Sequence, residues 1–203
     1  MYVEELIPAV CDHTSVGVLI NRDGQLLMFE RATWPWGVAA PAGHIDQFGT
    51  PQQAAITEAR QETGLTINRL APLDVGRWRD NRCRRAPSGP SAGHRWSVFE
   101  ALEVSGELSP SRRETRNARW VSRVEIAALV RRTIAYAHGK VSDGQFADRP
   151  GCEPVWVRWL HLFGWVYCTD AELDAVEELL RSSKPSRPGL DPGGLGRADS
   201  EER

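Results

Sequence analysis

The chain has 203 residues, of which 41% are hydrophobic and 26% charged, and its formal net charge is −2. This composition is typical of a globular protein with one well-developed domain and appendages, or at most two small domains, and it excludes a largely disordered chain. The near-neutral charge provides no overall attraction to nucleic acid or an anionic membrane. No apolar run approaches the ~20 residues of a membrane span, and the acidic N-terminus is unlike a signal peptide.

The first predicted element is a β-hairpin. The apolar run SVGVLI at 15–20 and the run QLLMF at 25–29 flank the turn sequence NRDG, and two such runs around a DG turn are a strong hairpin signal. The segment VAAPAGHID at 38–46 follows, and its small residues suit a close approach of the backbone to another group.

A helix is predicted over residues 51–63. Thr50 is a suitable N-cap, Pro51 fits the first helical position, and Gln53 stands three residues after Thr50, as in a capping box. Gly64 can adopt the left-handed conformation that ends a helix.

The rest of the chain predicts three strands and three helices. A polar insert at 80–93, DNRCRRAPSGPSAG, separates the first two of these strands and reads as a long loop. Strands are predicted for PLDVGRW (72–78), WSVFEAL (96–102) and NARWVS (117–122), and helices for 123–137, EPVWVRWLHLFG (153–164) and TDAELDAVEELL (169–180). The fold class is therefore mixed α/β, of the α+β type, with helices packed on a sheet.

Glu58 and Glu62 raise the question of function. At positions i and i+4 their carboxylates share one helix face and repel, which typically costs a few tenths of a kcal/mol. Magnesium prefers hard oxygen ligands and is usually held by one or two carboxylates together with substrate phosphates. A cation between the two carboxylates, with backbone carbonyls of Ala42 and Gly43 nearby, would explain why the pair is present.

Residues 43–65, GHIDQFGTPQQAAITEARQETGL, resemble the Nudix box of the Nudix hydrolases, whose pattern is G-x5-E-x7-R-E-U-x-E-E-x-G-U with U aliphatic. Gly43, Glu58, Glu62, Gly64 and Leu65 stand at the intervals of this pattern. The resemblance extends over about residues 14 to 135, through the preceding hairpin and the strand and helix that follow.

The resemblance implies a Nudix-like mixed β-sheet sandwiched between helices in a domain at 1–140. After this domain we predict a helical extension at 141–182, packed on the domain or extending it, and a disordered tail at 183–203, because that segment has nothing to bury. The resemblance also implies a pyrophosphohydrolase that cleaves a diphosphate linkage in a nucleoside-diphosphate-type small molecule. The cofactor would be Mg²⁺ or Mn²⁺, held by Glu58, Glu62 and Gly43. Glu114 stands where many members carry an acidic residue that orders the attacking water, and Glu30 is another candidate for this base. Either could equally be a solvated surface carboxylate.

The box departs from the pattern at three positions. Gly49 stands where the family has Glu, Thr57 where it has Arg, and Gln61 where it has the first Glu of the Glu-Glu pair. Binding of one divalent ion remains compatible with the two acids left, and Asp46 or His44 could substitute for missing ligands. The alternative function is a catalytically weakened Nudix-fold module that binds a nucleotide as a sensor.

Substrate contacts are expected from Trp34 and from the arginines near the long insert. Trp34 could stack on a base, or it could simply cover the sheet edge. The guanidinium fork matches phosphate oxygens, and Arg77 and Arg79 are preferred as phosphate ligands because they lie at a strand end and not in the middle of the loop. They belong to an arginine-rich segment that could instead be a solvated loop (Arg77, Arg79, Arg82, Arg84, Arg85).

The four cysteines show no CxxC spacing, which predicts free thiols in a reducing cytoplasm. A zinc site that joins Cys11 to His13, or Cys83 to His94, is rejected because neither spacing matches a ligand pattern. Cys83 has no identifiable histidine partner and is a poor candidate for a nucleophile. The expected partner is a small diphosphate or nucleotide, with no membrane and no nucleic acid, and a homodimer is left open.

Overall fold

The computed structural model describes residues 10–32, 34–46, 48–83, 85 and 93–181. Within them the chain forms seven strands and five helices. The strands are β1 (Thr14–Arg22), β2 (Gln25–Arg31), β3 (Val38–Ala39), β4 (Ala42–Gly43), β5 (Thr66–Arg79), β6 (His94–Ser105) and β7 (Thr115–Val121). The helices are α1 (Pro51–Thr63), α2 (Arg123–Ala137), α3 (Asp143–Asp148), α4 (Pro154–Leu162) and α5 (Asp170–Arg181).

The strands form one mixed sheet. Its main order is β3-β2-β1-β6-β5, with β4 paired to β1 and β7 paired to β2. The pairing of β1 with β6 is parallel, while the other pairings between these strands are antiparallel. The short strand β4 is aligned on β1 with Gly43 opposite Val16, so the start of the box lies beside the centre of the sheet.

Helices cover the sheet on two sides, and each side has its own apolar core. On one side Ala54, Ala55 and Ala59 of α1 pack with Val18 and Phe99. Small alanines allow α1 to lie close to the strands, which brings the acidic side chains of the same helix to the strand ends. The fold class predicted from the sequence, a mixed sheet between helices, is therefore confirmed.

The helices of the C-terminal third complete the second core. Trp156 and Trp159 of α4 are fully buried with Leu26 and Met28 of β2, and α5 contributes Leu173 to the same cluster. These helices pack on the same sheet that carries α1. No helix in the described ranges is long and apolar enough to cross a membrane.

The first helix begins and ends as its sequence predicts. The Thr50 hydroxyl accepts the amide hydrogen of Gln53, and the Gln53 side chain accepts that of Thr50, which completes the capping box. Gly64 adopts a left-handed conformation with φ 78° and its amide donates to the Arg60 carbonyl. The helix thereby has fixed ends, and the directions of its side chains are fixed with them.

Three short elements were not predicted: β3, β4 and α3. Two-residue strands and a six-residue helix contain too few residues for a periodic pattern. Strand β5 is also longer than expected, since it begins at Thr66 and not at Pro72. The predicted disordered tail at 183–203 and the middle of the long insert lie outside the described residues.

Candidate functional site

A polar cavity of about 170 Å³ opens between α1, β4 and the segment that follows β5. Four carboxylates and three arginines line it, so it carries both signs of charge around a small volume. The charged lining residues are Glu58, Glu62, Glu114, Glu153, Arg31, Arg82 and Arg85. Both glutamates singled out from the sequence thus face the same cavity.

Glu58 lies directly against the backbone of Gly43. A Cβ atom added at Gly43 would overlap the Glu58 carboxyl group, so any other residue at position 43 would displace this carboxyl group from its observed position. Because Gly43 is held on β1 through β4, the contact ties the position of the Glu58 carboxylate to the centre of the sheet. This gives a physical reason for the paired glycine and glutamate of the box.

Glu62 is buried, with 6% of its surface exposed. Its Oε2 accepts the amide hydrogen of Ala42 at 2.9 Å, which orients the carboxyl group toward β4. Burial raises the pKa of Glu62 well above its ordinary value, and the neighbouring charge of Glu58 raises it further. One hydrogen bond therefore only partly compensates for removing this carboxylate from water.

The pKa of Glu58 is raised from 4.5 to about 7. Burial is the main cause, and the charges of Glu114 and Asp46 add to it, while Arg85 and Arg31 oppose it. The pair of box carboxylates is therefore held in a location that disfavours two negative charges, and a bound cation would reverse this.

The two candidates for the general base lie in different places. Glu114 lines the cavity just before β7, with its side chain exposed at the mouth. Glu30 instead accepts a hydrogen bond from the Asn117 amide at 3.1 Å and is absent from the cavity lining. Of the two candidates, only Glu114 is among the residues that line the cavity.

The structure does not bring Arg77 and Arg79 to the polar cavity. Arg77 is bound to Asp74 on its own strand. Arg79 is buried, forms an ion pair with Glu177 of α5 at 2.5 Å, and lies over the ring of Trp159. Both guanidinium groups are paired with carboxylates outside the cavity, and neither arginine is among the residues that line it.

Three other arginines occupy the position expected for Arg77 and Arg79. Arg85 binds both carboxylate oxygens of Asp46, at 2.5 and 2.8 Å, and so joins the segment after β5 to the loop before α1. Arg82 lies in the same segment, and Arg31 enters from the end of β2. The sequence named Arg82 and Arg85 only as part of the arginine-rich segment and gave no signal for Arg31; Arg84 lies outside the described residues.

Arg31 and Glu153 each have a buried polar atom without a hydrogen-bond partner among the described residues. Arg31 Nη1 lies 3.7 Å from Glu153 Oε2, beyond hydrogen-bonding distance. Among the described residues, neither Arg31 Nε nor Glu153 Oε2 has a hydrogen-bond partner. Since buried polar groups normally find partners, two such atoms at a cavity wall are consistent with a ligand that bonds to them.

Trp34 lines an adjacent, mainly apolar cavity of about 60 Å³. Pro35, Asn81, Arg82 and Glu153 line both cavities. The two cavities are therefore neighbours along one cleft, with charged groups at one end and aromatic and aliphatic groups at the other.

A cluster of thiols and imidazoles forms another part of the polar wall. Cys11, His44, Cys83 and His94 lie together, whereas the His13 ring bonds the Gly93 carbonyl at 2.8 Å. Burial lowers the pKa of His44 to about 4, so its imidazole is neutral. The sequence spacings were compared with zinc-ligand patterns for two Cys–His pairs only. The fold brings together four residues whose combination those spacings do not reveal.

A family model described as the NUDIX domain matches residues 12–143. A protein of Mycobacterium tuberculosis that carries the name 8-oxo-dGTP diphosphatase 3 is 31% identical over 111 residues, which are 51% of this chain and 47% of that protein; the match occurs in two strains. The chain thus spans about half the length of the curated relatives it matches.

Similar solved structures include a MutT Nudix hydrolase from Burkholderia pseudomallei and a MutT protein from Bacillus halodurans. The first is 22% identical with a TM-score of 0.44, covering 55% of this chain and 84% of its own. The second is 16% identical with a TM-score of 0.46, covering 57% of this chain and 71% of its own.

Proposed function

The chain belongs to the NUDIX family, and on that premise we propose that it is a pyrophosphohydrolase that cleaves a diphosphate linkage in a nucleoside-diphosphate-type small molecule. The cofactor in this proposal is Mg²⁺ or Mn²⁺. The observation that carries the proposal is that half-buried Glu58 and buried Glu62 lie side by side against β4, with the Glu58 carboxyl on Gly43.

The donor set fits a hard divalent cation. Both side chains offer carboxylate oxygens, and Glu62 keeps Oε1 available because Oε2 accepts the Ala42 amide hydrogen. Oxygen ligands from one or two carboxylates, completed by water and phosphate, are typical of magnesium. When bound, the ion would neutralise the diphosphate and lower the pKa of the attacking water.

The remaining steps belong to the side chains around the carboxylates. Arg31, Arg82 and Arg85 supply positive charge toward the phosphate oxygens, and Arg31 Nε is free to donate within the described part of the protein. Glu114, exposed at the mouth, is placed to orient the attacking water and accept its proton. Arg77 and Arg79 have no role in this proposal because they lie away from the cavity.

The shape of the cleft supports a substrate with one charged and one aromatic end. The polar cavity would hold the diphosphate, and the adjacent apolar cavity would hold the base. Trp34 therefore keeps its proposed role as a wall for the base, opposite Phe146 and Leu179 of the C-terminal third. On this proposal the extension at 141–182 is part of the substrate site.

A sensor module that binds the same class of ligand is the second candidate. Gly49, Thr57 and Gln61 remove the charges that the family carries at these positions, and Gln61 is exposed. This alternative expects binding of a nucleotide without turnover. It also expects the binding to survive Glu58→Ala.

The test is hydrolysis of a panel of diphosphate compounds by the full chain. Nucleoside triphosphates, ADP-ribose, dinucleotides and sugar nucleotides would be assayed with magnesium and then manganese. Glu62→Gln is the test variant, and Glu103→Gln, exposed on β6, is the matched control. Turnover that needs the metal and is lost only in Glu62→Gln supports the enzyme. Binding of a panel compound without turnover by the folded protein favours the sensor.

The setting of the proposed enzyme is the cytoplasm. The free state of Cys11, Cys83, Cys152 and Cys168 supports it, since reducing compartments keep thiols unpaired. The proposed partner is the small-molecule substrate, with no role for a membrane or nucleic acid, and sedimentation of the purified chain would show whether it is a monomer or a homodimer.

A further inference from the structure

Two cysteines and two histidines meet at one point beside the polar cavity. One sulfur or nitrogen atom from each of Cys11, His44, Cys83 and His94 lies within 4.8 Å of the corresponding atoms of the other three. The four residues come from the lead-in to β1, the loop after β4, the segment after β5, and the start of β6. We propose that these four side chains bind a structural zinc ion.

The distances suit a tetrahedral ion. Cys11 Sγ lies 3.5 Å from His44 Nε2 and 3.1 Å from His94 Nε2. With zinc bonded to sulfur at ~2.3 Å and to nitrogen at ~2.0–2.1 Å, neighbouring ligand atoms of a tetrahedron are roughly 3.3–3.8 Å apart. The cluster therefore has nearly the size of a Cys₂His₂ site, and small shifts of side chains would complete it.

Hydrogen bonds outside the cluster hold two ligands in the orientation that a metal requires. His94 Nδ1 lies 2.9 Å from the Asn81 carbonyl, and because a carbonyl only accepts, the ring hydrogen is on Nδ1. This leaves the lone pair of Nε2 directed at the cluster. Asn81 is fixed in turn, since its Oδ1 accepts from the Trp96 indole at 2.9 Å.

The sulfur of Cys11 is oriented in a similar way. The His13 amide donates to Cys11 Sγ at 3.3 Å, an interaction that stabilises negative charge on the sulfur. An isolated thiol has little need for an amide donor and two imidazole nitrogens around it. A zinc-bound thiolate explains all three contacts.

The donor chemistry separates this site from the carboxylate pair. Sulfur and imidazole nitrogen select zinc, whereas Glu58 and Glu62 offer only hard oxygens. Four protein ligands also fill a tetrahedral shell, which is typical of a structural ion and leaves no position for substrate. The two sites share a wall of the cavity but would take different metals.

The position of the cluster indicates what the ion would stabilise. Cys83 lies between Arg82 and Arg85, and His44 follows Gly43 directly. A zinc ion would therefore fasten the arginine-bearing segment to the loop that supports Glu58. The Arg85–Asp46 ion pair joins the same two segments, so zinc would add a second and stronger connection.

The test is the metal content of the full chain purified without added metal or chelator, measured by plasma mass spectrometry. We expect about one zinc per chain, and loss of that zinc in Cys83→Ser and His94→Gln. Cys168→Ser is the matched control, because Cys168 is also a free thiol but lies outside the cluster, and this variant should keep its zinc.

A second measurement uses the wild-type chain, so that the proposal can be tested even if the variants do not fold. The wild-type chain would be refolded with cobalt(II) in place of zinc, and a thiolate-to-cobalt absorption band with tetrahedral d–d bands is the expected result. Absence of both zinc and the cobalt spectrum would overturn the proposal, as would zinc retained in Cys83→Ser, or a Cys11–Cys83 disulfide in the freshly purified protein. Glu62→Gln changes a proposed magnesium ligand and none of the four zinc ligands, so this variant should keep its zinc. The zinc proposal is therefore tested separately from the hydrolase proposal.

Discussion

Replacing Glu58 with glutamine should stabilise the protein when magnesium is absent. The Glu58 carboxyl group is mostly buried, and its pKa is raised to about 7 by burial and by the charges of Glu114 and Asp46. Glutamine has nearly the same shape and no charge. The substitution therefore removes the electrostatic cost and leaves the packing against Gly43 in place.

The size of the effect follows from the two pKa values of Glu58. The unfolded chain has the ordinary value of 4.5 and the folded chain about 7, so the folded state binds the proton more tightly. The contribution of the protonated carboxyl to stability is complete below pH 4.5 and is lost as the pH rises through about 7. At pH 8 the charged carboxylate costs roughly 3 kcal/mol, and at pH 5 below about 1 kcal/mol.

The assay is thermal and urea unfolding of wild type and Glu58→Gln in magnesium-free buffer at pH 5 and pH 8, without chelator so that a zinc ion stays bound. At pH 8 the variant should gain roughly 2–3 kcal/mol, or about 5–10 °C in Tm, and at pH 5 much less. Adding magnesium should raise the Tm of wild type alone. The reasoning is refuted if the variant is less stable than wild type at pH 8, or if the gain is equal at both pH values.

Gly43→Ala should abolish magnesium-dependent stabilisation in a protein that still folds by circular dichroism, because the new methyl group would overlap the Glu58 carboxyl; an unchanged magnesium titration would contradict this contact. Arg79→Met should lower the free energy of unfolding by about 2 kcal/mol, since Glu177 loses the more buried of its two arginine partners among the described residues and keeps only Arg158. Urea titrations should show this loss of stability, and kinetic assays should show an unchanged KM. A raised KM with unchanged stability would indicate instead that Arg79 contacts the substrate. Thr50→Ala should cost about 1 kcal/mol of stability through loss of the N-cap, and a urea midpoint equal to that of wild type would count against the cap.

Local signals were sufficient to predict α1 and the residues it presents. The Thr50 cap, Pro51 and Gly64 act within a few residues, and the spacing of Glu58 and Glu62 depends only on the helix between those ends. For the same reason the hairpin and the later helices could be predicted. Features set by short-range backbone chemistry are readable in the sequence.

Features that depend on distant pairing were not readable. Arg79 looked available for phosphate because it stands at the end of a strand, but α5, nearly a hundred residues later, supplies Glu177 to bind it. The parallel pairing of β1 with β6 brings Thr14 opposite Arg95, and this places Cys11 near His94. Residues 83 positions apart have no common periodicity, so the thiol–imidazole cluster could only appear once the sheet was formed.

Two of the three departures from the Nudix box, Thr57 and Gln61, leave the inner pair of carboxylates undisturbed. Gln61 is exposed, and the Thr57 hydroxyl donates to the Gln53 carbonyl on its own helix, so neither replacement touches the face that meets β4. On that face the Glu58 carboxyl group occupies the space that a side chain at position 43 would fill, and the Glu62 carboxyl group accepts the Ala42 amide hydrogen. The pKa values of both carboxyl groups are raised, so their charged forms are disfavoured in the metal-free fold, and glutamine at either position would avoid this cost. Their joint presence therefore supports the proposed cation, because packing of the helix alone gives no reason for it.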